Sequence, residues 1–298
     1  MPAGWRLVLF GGDGREVEAA AHMARLGHAV LAVGQRGGRA DGGASPSGIA
    51  GTLAQADAVV GPALGTNAAG DAFHAMERPI PIDPAWLDAC APGTPWLIGR
   101  AGPWLRTAAA ARGMPIETYA DRDEFATLNA VPTAEGAIAE AGRLAGRTLW
   151  GEAAVVVGGG RCALALVPRL AALGCRVALV ARHPAERARA AALGAETADL
   201  GDLAARAGGC SFVFNTVPAL LVSRTVLAAL PEGAVVADLA SAPGGTDFVA
   251  AAALGVRAAL LPGIPGRLFP KTAGRIVAAV VLDMLAELAR GGDGDARI

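Results

Sequence analysis

The chain has 298 residues, of which 53% are hydrophobic and 18% are charged, and its formal net charge is −1. Its length suggests two domains of ordinary size, and the nearly neutral charge without a basic run argues against nucleic-acid binding. No run of about 18 apolar residues predicts a membrane span, and the N-terminus does not resemble a signal peptide. We therefore expect a soluble, cytoplasmic protein.

The cysteines and histidines do not show the spacing of a metal site. The four cysteines form no CxxC pair, and the four histidines are scattered along the chain. Reduced thiols are the expectation for a cytoplasmic protein. We predict no metal ion.

Two segments, 6–33 and 153–180, repeat one pattern. Each has a short apolar run, a glycine turn, apolar residues at helical spacing and a second apolar run. This order of strand, turn, helix and strand begins a parallel sheet. The predicted fold class is α/β, with two doubly wound Rossmann-like domains in tandem.

The remaining pattern predicts the domain boundaries. We expect an N-terminal substrate domain over residues 1–130, a linker helix over 131–147, a nucleotide-binding domain over 148–271 and a C-terminal helix and tail over 272–298. Thr133 is expected to cap the linker helix, and the C-terminal helix is expected to pack back at the domain junction. The segment from Gly34 to Gly51 is rich in glycine and serine and is typical of a loop.

The second glycine turn carries a nucleotide-binding motif, Gly158-x-Gly160-x-x-Ala163. The first glycine permits the tight turn, the second lets the backbone approach a diphosphate, and the third small residue lets helix and strand pack closely. The strand and helix around the motif stand where it needs them. We therefore predict dinucleotide binding at Gly158, Gly160, Arg161, Cys162 and Ala163.

Cofactor specificity is expected at the end of the second strand of this domain. NAD-binding enzymes place an acidic residue there, but this chain has Arg182 and His183. An arginine at this position can pair with a 2′-phosphate, so NADP is favoured over NAD. The alternatives are a solvated Arg182 and, for His183, either stacking on the adenine or a plain surface position.

Three further strand ends are expected to line the cofactor because ligands of such sheets bind at the carboxyl ends of the strands. The residues assigned to them are Asn215, Thr216, Val217, Pro218, Asp238, Ser241 and Gly263.

The chain resembles the A-subunit family of dipicolinate synthase along nearly its whole length. The motifs that carry the resemblance are Gly11-Gly12-Asp13-x-Arg15, Asn129-x-x-Pro132-Thr133-x-Glu135-Gly136, Asn215-Thr216-Val217-Pro218, the stretch from Asp238 to Phe248, Leu261-Pro262-Gly263-Ile264-Pro265-Gly266 and Pro270-Lys271-Thr272-Ala273-Gly274. The fold also looks similar to that of D-2-hydroxyacid and shikimate dehydrogenases. One departure is Ala163, where the family's cofactor turn has a third glycine.

The resemblance implies a function in endospore formation. Members act with a second, flavoprotein-like subunit, the dipicolinate synthase B-subunit, and convert dihydrodipicolinate to dipicolinate, here by NADP-dependent oxidation. It also implies a location in the mother-cell cytoplasm. The alanine-rich helices are compatible with a homo-oligomer.

Candidate catalytic residues are Lys271, Asp247 and Glu135. Lys271 is the only lysine and follows the last predicted strand in a Gly/Pro-rich loop, so it could bind a substrate carboxylate or act as the base. Asp247 is either a helix cap or the proton acceptor, and Glu135 is either catalytic or part of a capping motif begun by Thr133. Lys271 ranks first.

Candidate substrate-binding residues are Asp13, Arg15, Asn129, Thr133 and Lys271. Arg15 follows the first glycine turn and could face the cleft, or it could be a solvated helix arginine. Asp13 could simply cap the first helix.

Two other functions remain open. One is a different NADP-dependent dehydrogenase of the hydroxyacid or shikimate type, although no histidine except His183 lies near a predicted strand end. The other is a nucleotide-binding structural subunit whose partner carries the chemistry.

Overall fold

The computed structural model describes residues 4–34, 46–73 and 79–294. The chain divides into two compact units, the first formed by Met1–Leu128 with Pro265–Ile298 and the second by Asn129–Ile264. Each unit has its own parallel sheet. Among the described residues, no helix is both long and apolar enough to cross a membrane.

The first unit contains a five-stranded parallel sheet. The strands and helices of its N-terminal part are β1 (Arg6–Phe10), α1 (Gly14–Arg25), β2 (Ala29–Val33), α2 (Pro46–Leu53), β3 (Ala58–Val60), β4 (Asp71–Ala72), β5 (Ile80–Pro81), α3 (Pro84–Asp88), β6 (Trp96–Ile98), α4 (Pro103–Ala110) and β7 (Ile116–Thr118). The sheet order is β2-β1-β3-β6-β7, and the short β4 and β5 form a separate antiparallel pair.

Strand β1 shows why this sheet is covered on both faces. Leu7 and Leu9 belong to one buried cluster, whereas Val8 and Phe10 belong to another. Successive side chains of a strand point to opposite faces, so two separate clusters require packing on both sides. A strand that is apolar throughout is typical of such a sheet.

The predicted loop from Gly34 to Gly51 is wrong in its second part. Helix α2 occupies Pro46–Leu53, and residues 35–45 lie outside the described ranges. Leu53 is completely buried at the end of this helix. Its burial offsets the poor helix propensity of the glycines that suggested a loop.

The linker helix is longer than predicted. Helix α5 covers Asp123–Ala145 and contains Pro132 in its interior. Thr133 therefore does not cap a helix, and its hydroxyl donates instead to the carbonyl of Asn129 at 2.8 Å. The acidic residues at 123 and 124 in the first turn are the true start signal, since negative charge is favourable at a helix N-terminus.

The second unit contains a six-stranded parallel sheet of order β10-β9-β8-β11-β12-β13. Its elements are β8 (Ala153–Val157), α6 (Arg161–Ala172), β9 (Arg176–Val180), α7 (Pro184–Ala192), β10 (Glu196–Ala198), α8 (Leu203–Ala207), β11 (Phe212–Asn215), α9 (Arg224–Ala229), β12 (Val235–Asp238), α10 (Phe248–Ala253) and β13 (Arg257–Leu260). The predicted class of two doubly wound α/β domains is confirmed.

Two helices end the chain, α11 (Ile264–Leu268) and α12 (Pro270–Gly294). The predicted C-terminal helix thus begins at Pro270 rather than at residue 272, and Lys271 lies in its first turn rather than in a loop. Helix α12 belongs to the first unit, where Val277, Val281 and Met284 pack with Met23 of α1 in one buried cluster.

Glycine 274 lets these two helices cross closely. A Cβ atom at Gly274 would stand 2.6 Å from the carbonyl oxygen of Arg15 and 2.8 Å from the backbone nitrogen of Ala19. Real Cβ atoms do not approach backbone so closely, so a larger residue would push the helices apart. Glycine therefore fixes α12 along α1.

Candidate functional site

The glycine turn after β8 is held against the end of β11. Gly158 has φ +105°, and a Cβ atom there would lie 2.5 Å from Oγ1 of Thr216 and 2.7 Å from Cγ2 of Val217. The Thr216 hydroxyl donates to the carbonyl of Val157 at 2.8 Å. Glycine is required at position 158 for both its conformation and its close packing.

The next part of the turn is open. Gly160 is the N-cap of α6, with φ −78°, and a Cβ atom there would meet nothing within 4 Å. The helix begins directly behind it, so its first-turn N–H groups and positive dipole end point toward this space. Ala163 is completely buried at the helix–sheet contact. This arrangement fits the diphosphate of a dinucleotide.

Cys162 lies in the same first turn, and burial raises the pKa of its thiol above the usual value. A thiol that stays protonated is a poor nucleophile, so we expect Cys162 to be a packing residue of this turn rather than a reactive group.

The turn stands at the topological switch point of the sheet. Strand β8 pairs with β9 on one side and with β11 on the other, both parallel. The connections from β8 to β9 and onward to β11 leave a crevice at the carboxyl ends of the central strands. Ligands of doubly wound sheets bind at this position.

Arg182 and His183 follow β9, and both are exposed. They contact each other, with Nε of Arg182 lying 3.3 Å from Nε2 of His183. His183 is the N-cap of α7 but makes no side-chain cap. Two nitrogen-bearing side chains thus stand together where an NAD-binding enzyme has an acidic residue.

Sequence reasoning missed the residues that hold this loop. Nη1 of Arg187 donates to the carbonyls of Ala181 and Arg182 at 2.7 and 2.9 Å and to Oδ2 of Asp199 at 2.8 Å. Glu186 packs against the glycine turn, since a Cβ atom at Gly159 would lie 2.3 Å from its Cβ. The only sequence signal for these contacts was the position of Glu186 and Arg187 in the first turn of a helix that begins with Pro184.

Asp238 is a buried structural centre and is completely inaccessible to solvent. Its two oxygens accept four hydrogen bonds, from the Ala240 N–H at 3.0 Å, the Asn215 amide at 3.0 Å, the Gly245 N–H at 2.8 Å and the Thr246 hydroxyl at 2.6 Å. A carboxylate with four donors is fully satisfied. Asp238 thus shapes the loop after β12, and its oxygens are already engaged by the protein.

Asn215 is equally buried and locks the loop after β11. Its amide donates to the carbonyl of Val217 at 3.0 Å, and its Oδ1 accepts from the Val217 N–H at 3.2 Å. Gly245 packs against this loop, because a Cβ atom there would lie 2.2 Å from the Val217 carbonyl. Pro218, Ser241 and Gly263 are exposed at the neighbouring strand ends.

Asp247 and Glu135 have partners of their own. Oδ1 of Asp247 accepts from the Ala250 N–H at 2.8 Å and caps α10, which is the capping alternative considered from sequence. Glu135 lies inside α5, where its carboxylate pairs with Arg169 at 3.2 Å. The alternative that Glu135 belongs to a capping motif begun by Thr133 is therefore wrong, because α5 begins ten residues before Thr133.

Asp13 and Arg15 form a buried pair in the first unit. Arg15 is only 4% exposed, and its Nε and Nη2 contact the two Asp13 oxygens at 2.9 and 2.8 Å. Burial alone would raise the pKa of Asp13, but the Arg15 guanidinium and N–H outweigh it and hold that pKa below its usual value. The alternative of a solvated Arg15 is wrong, and the capping role of Asp13 is what the structure shows.

Glu16 completes this cluster and was missed from sequence. Its oxygens accept from the backbone N–H groups of Asp13 at 2.7 Å and of Ala63 at 2.8 Å, which closes a capping box. Burial, strengthened by Asp13 and opposed by Arg15, raises the pKa of Glu16 to about 7. A Glu three residues after an Asp cap was the available signal.

The start of α12 lies beside the start of α1. A Cβ atom at Gly14 would be 2.9 Å from Cβ of Pro270, and one at Gly266 would be 2.2 Å from both Asp13 oxygens. Lys271, the next residue after Pro270, is exposed. Its ammonium has no ion-pair partner among the residues described. The structure thus brings Asp13, Arg15 and the segment that carries Lys271 together in one unit.

Two family models match the chain in succession. The first is the N-terminal domain of the dipicolinate synthase A-subunit, over residues 6–120. The second is the NAD-binding domain of D-isomer specific 2-hydroxyacid dehydrogenases, over residues 126–243.

Solved structures decide the family. The dipicolinate synthase A-subunit from Bacillus halodurans is 31% identical, with a TM-score of 0.82, and the match covers 96% of this chain and 99% of that one. This chain belongs to the A-subunit family of dipicolinate synthase. The Bacillus subtilis protein of the same kind has a TM-score of 0.83 at 29% identity, with 98% and 99% coverage. A curated dipicolinate synthase A-subunit of B. subtilis strain 168 is 35% identical over 190 residues, and that match spans 64% of each protein.

Membership of this family agrees with the geometry of the second unit. The matched NAD-binding domain contains the open turn at Gly160 and places the chain among dehydrogenase-type oxidoreductases. Within the described ranges, no group of three or more His, Cys, Asp or Glu residues is arranged to hold a metal ion.

One family motif contains an acceptor without a donor. Oδ1 of Asn129 is buried and has no hydrogen-bond partner among the described residues. Buried polar atoms are nearly always paired, so an unpaired one calls for an explanation such as a ligand. The sequence predicts Asn129 as a candidate substrate-binding residue, but it does not indicate that this oxygen would lack a hydrogen-bond donor.

Proposed function

We propose that this chain is the NADP-dependent dehydrogenase subunit that oxidises dihydrodipicolinate to dipicolinate. The observation that carries the proposal is the open Gly160 turn, in a chain of the dipicolinate synthase A-subunit family. A backbone shaped for a diphosphate at a switch point indicates a dinucleotide. The choice of dihydrodipicolinate as the substrate rests on membership of this family.

The cofactor proposal is NADP, with NAD as the alternative. Arg182 and His183 are exposed at the end of β9, where the adenosine ribose lies in such domains. A guanidinium binds a phosphate through charge-assisted hydrogen bonds and has no comparable partner in the ribose of NAD. The residues present therefore favour the 2′-phosphate.

The reaction balances as a two-electron oxidation. Dihydrodipicolinate loses one hydride and one proton, and the product is the aromatic pyridine dicarboxylate. When bound, NADP⁺ supplies the acceptor for the hydride. The protein has to hold a flat dicarboxylate in place and take the proton.

The first unit offers the groups for the substrate. The start of α12 lies beside the start of α1, which Asp13 already caps, and Lys271 is exposed in the first turn of α12. Helix N-termini and cations both stabilise carboxylates. We assign Lys271 either to binding a substrate carboxylate or to accepting the proton. We assign Asp13 and Arg15 to shaping the surface at the starts of α1 and α12 and to setting its charge.

The remaining candidates have narrower proposed roles. Oδ1 of Asn129 is an unfilled acceptor for an N–H group of a ligand, and Thr133 stabilises that turn of α5 through the Asn129 carbonyl. Asp247 and Glu135 rank behind Lys271 as bases because each already has a hydrogen-bond or ion-pair partner.

The biological setting follows the family. We propose that the chain acts with the dipicolinate synthase B-subunit in the cytoplasm of the sporulating mother cell, and that it forms a homo-oligomer. A hydroxyacid-type dehydrogenase is less well supported. Its catalytic histidine would have to reach the substrate, whereas His183, the histidine nearest a strand end of the second sheet, is exposed after β9, where we place the adenosine ribose of NADP.

The test is an absorbance assay on the purified chain. Dihydrodipicolinate is generated in place from pyruvate and aspartate semialdehyde by its synthase, and NADP⁺ or NAD⁺ is supplied with and without the B-subunit. Dipicolinate and reduced cofactor should appear together, and faster with NADP⁺. Binding of NADP⁺ without any turnover, in every combination, would favour a structural subunit instead.

A further inference from the structure

We propose that Arg187 is a positioning residue that sets the preference for NADP over NAD. It does so by holding the β9–α7 loop in place and by neutralising Asp199. The inference rests on the NADP binding proposed above and adds a specificity determinant outside the nucleotide motif.

The loop that carries Arg182 is held by one guanidinium nitrogen. Nη1 of Arg187 donates to the carbonyls of Ala181 and Arg182 at 2.7 and 2.9 Å. Both carbonyls belong to the backbone between the end of β9 and the start of α7. The exposed Arg182 side chain can meet a phosphate in a defined position only if this backbone is fixed.

The same nitrogen pairs with an acidic residue that directly follows the adjacent strand. Asp199 follows β10, which is the edge strand next to β9, and its Oδ2 accepts from Arg187 at 2.8 Å. The Asp199 side chain is 58% exposed. An unpaired carboxylate here would repel a 2′-phosphate and would not repel the hydroxyl of NAD.

The base of α7 ties this loop to the diphosphate turn. Glu186 precedes Arg187 and packs so closely on Gly159 that a Cβ there would lie 2.3 Å from the Cβ of Glu186. The first turn of α7 is thus fixed to the glycine turn on one side and to Asp199 on the other. Because Glu186 still holds the glycine turn, a substitution of Arg187 is expected to affect binding of the adenosine ribose more than binding of the diphosphate.

The experiment measures dissociation constants of NADP⁺ and NAD⁺ for the full chain by calorimetry, without substrate or partner. Arg187→Met removes the donors and leaves the Asp199 carboxylate without its ion-pair partner. Because all three bonds come from one nitrogen, Arg187→Lys can restore part of them through its ammonium. Arg206→Met is the matched control, since Arg206 pairs with Glu196 of the same strand at 2.9 Å.

Arg187→Met should raise the NADP⁺ constant about tenfold and leave the NAD⁺ constant within about twofold, as expected for weakening one phosphate contact. Arg187→Lys should recover part of the loss, and Asp199→Asn and Arg206→Met should weaken neither cofactor. Equal losses for both cofactors in Arg187→Met, or no loss, would overturn the inference alone. A wild type that binds neither cofactor, or that prefers NAD⁺, would overturn the proposed cofactor and the inference together.

Discussion

Gly266 lies directly on the carboxylate of Asp13, although the two residues are near opposite ends of the chain. A Cβ atom at Gly266 would stand 2.2 Å from both Asp13 oxygens. Those oxygens also hold Arg15 and cap α1. A single glycine in α11 therefore lets the C-terminal part of the chain pack against the start of α1.

Gly266→Ala should destabilise the first unit by at least about 2 kcal/mol, because the methyl group overlaps a carboxylate that cannot move without losing Arg15. The measurement is the free energy of unfolding in urea. Gly51→Ala is the matched control: Gly51 lies in α2 with nothing within 4 Å of its Cβ position, so that change should be neutral or slightly stabilising. Equal effects of the two changes would contradict the assigned contact.

Glu16 should make stability depend on pH in an unusual direction. Its pKa is raised by burial to about 7 in the folded chain. A raised pKa means that the folded state binds the proton more tightly than the unfolded state. The contribution to stability is therefore full at low pH and is lost as the pH rises from about 4.5 through 7.

Glu16→Gln removes this dependence. The difference in unfolding free energy between wild type and variant should shift by up to about 3 kcal/mol, against the wild type, between pH 4.5 and 8. Urea unfolding at several pH values measures it. A difference that stays constant across this range would show that Glu16 does not titrate there.

Gly160→Ala should separate cofactor binding from folding. The conformation at residue 160 suits alanine, and its Cβ would meet no protein atom, so the melting temperature should hardly change. The methyl group would fill the space assigned to the diphosphate, and the dissociation constant of NADP⁺ should rise at least about tenfold. Calorimetry and thermal unfolding measure the two effects. Gly158→Ala, with its positive φ and its contact with Thr216, should lose stability instead.

Lys271→Ala should lose most of the turnover, by about 10²- to 10⁴-fold if Lys271 moves the proton, while NADP⁺ affinity stays unchanged. Lys271 is exposed in the first turn of α12, so folding should not suffer. Arg275→Ala, one turn further along the same helix and also exposed, is the control and should keep its turnover. Unchanged turnover in Lys271→Ala would remove Lys271 from the mechanism.

The parts of the fold that depend on local pattern could be predicted from sequence. The strand before Gly158 and the helix after Gly160 follow from spacing and from the glycine conformations. The cap at Asp13 follows from the Asp-x-x-Glu spacing, although the role of Glu16 was overlooked. Such features are encoded within a few residues and need no partner elsewhere.

Other features depend on contacts between distant residues and could not be predicted in this way. In the sequence, Arg187 looks like any exposed arginine of a helix. Its ion pair with Asp199 depends on the fold, which places the end of β10 beside α7. The sequence predicts a linker helix that starts at residue 131, but α5 begins at Asp123 and continues through Pro132, although proline usually breaks helices. Asp238 is predicted from sequence to line the cofactor, but the four donors to its carboxylate could not be predicted, because one of them, Asn215, lies on another strand.

The division of the chain also bears on its synthesis. The second unit is one continuous segment, 129–264, whereas the first needs both ends of the chain. On the ribosome, the apolar side of α1 that includes Met23 stays without its final cover until Val277 and Met284 of α12 emerge. The second unit can therefore finish folding first, and the N-terminal segment, although made earliest, completes its core last.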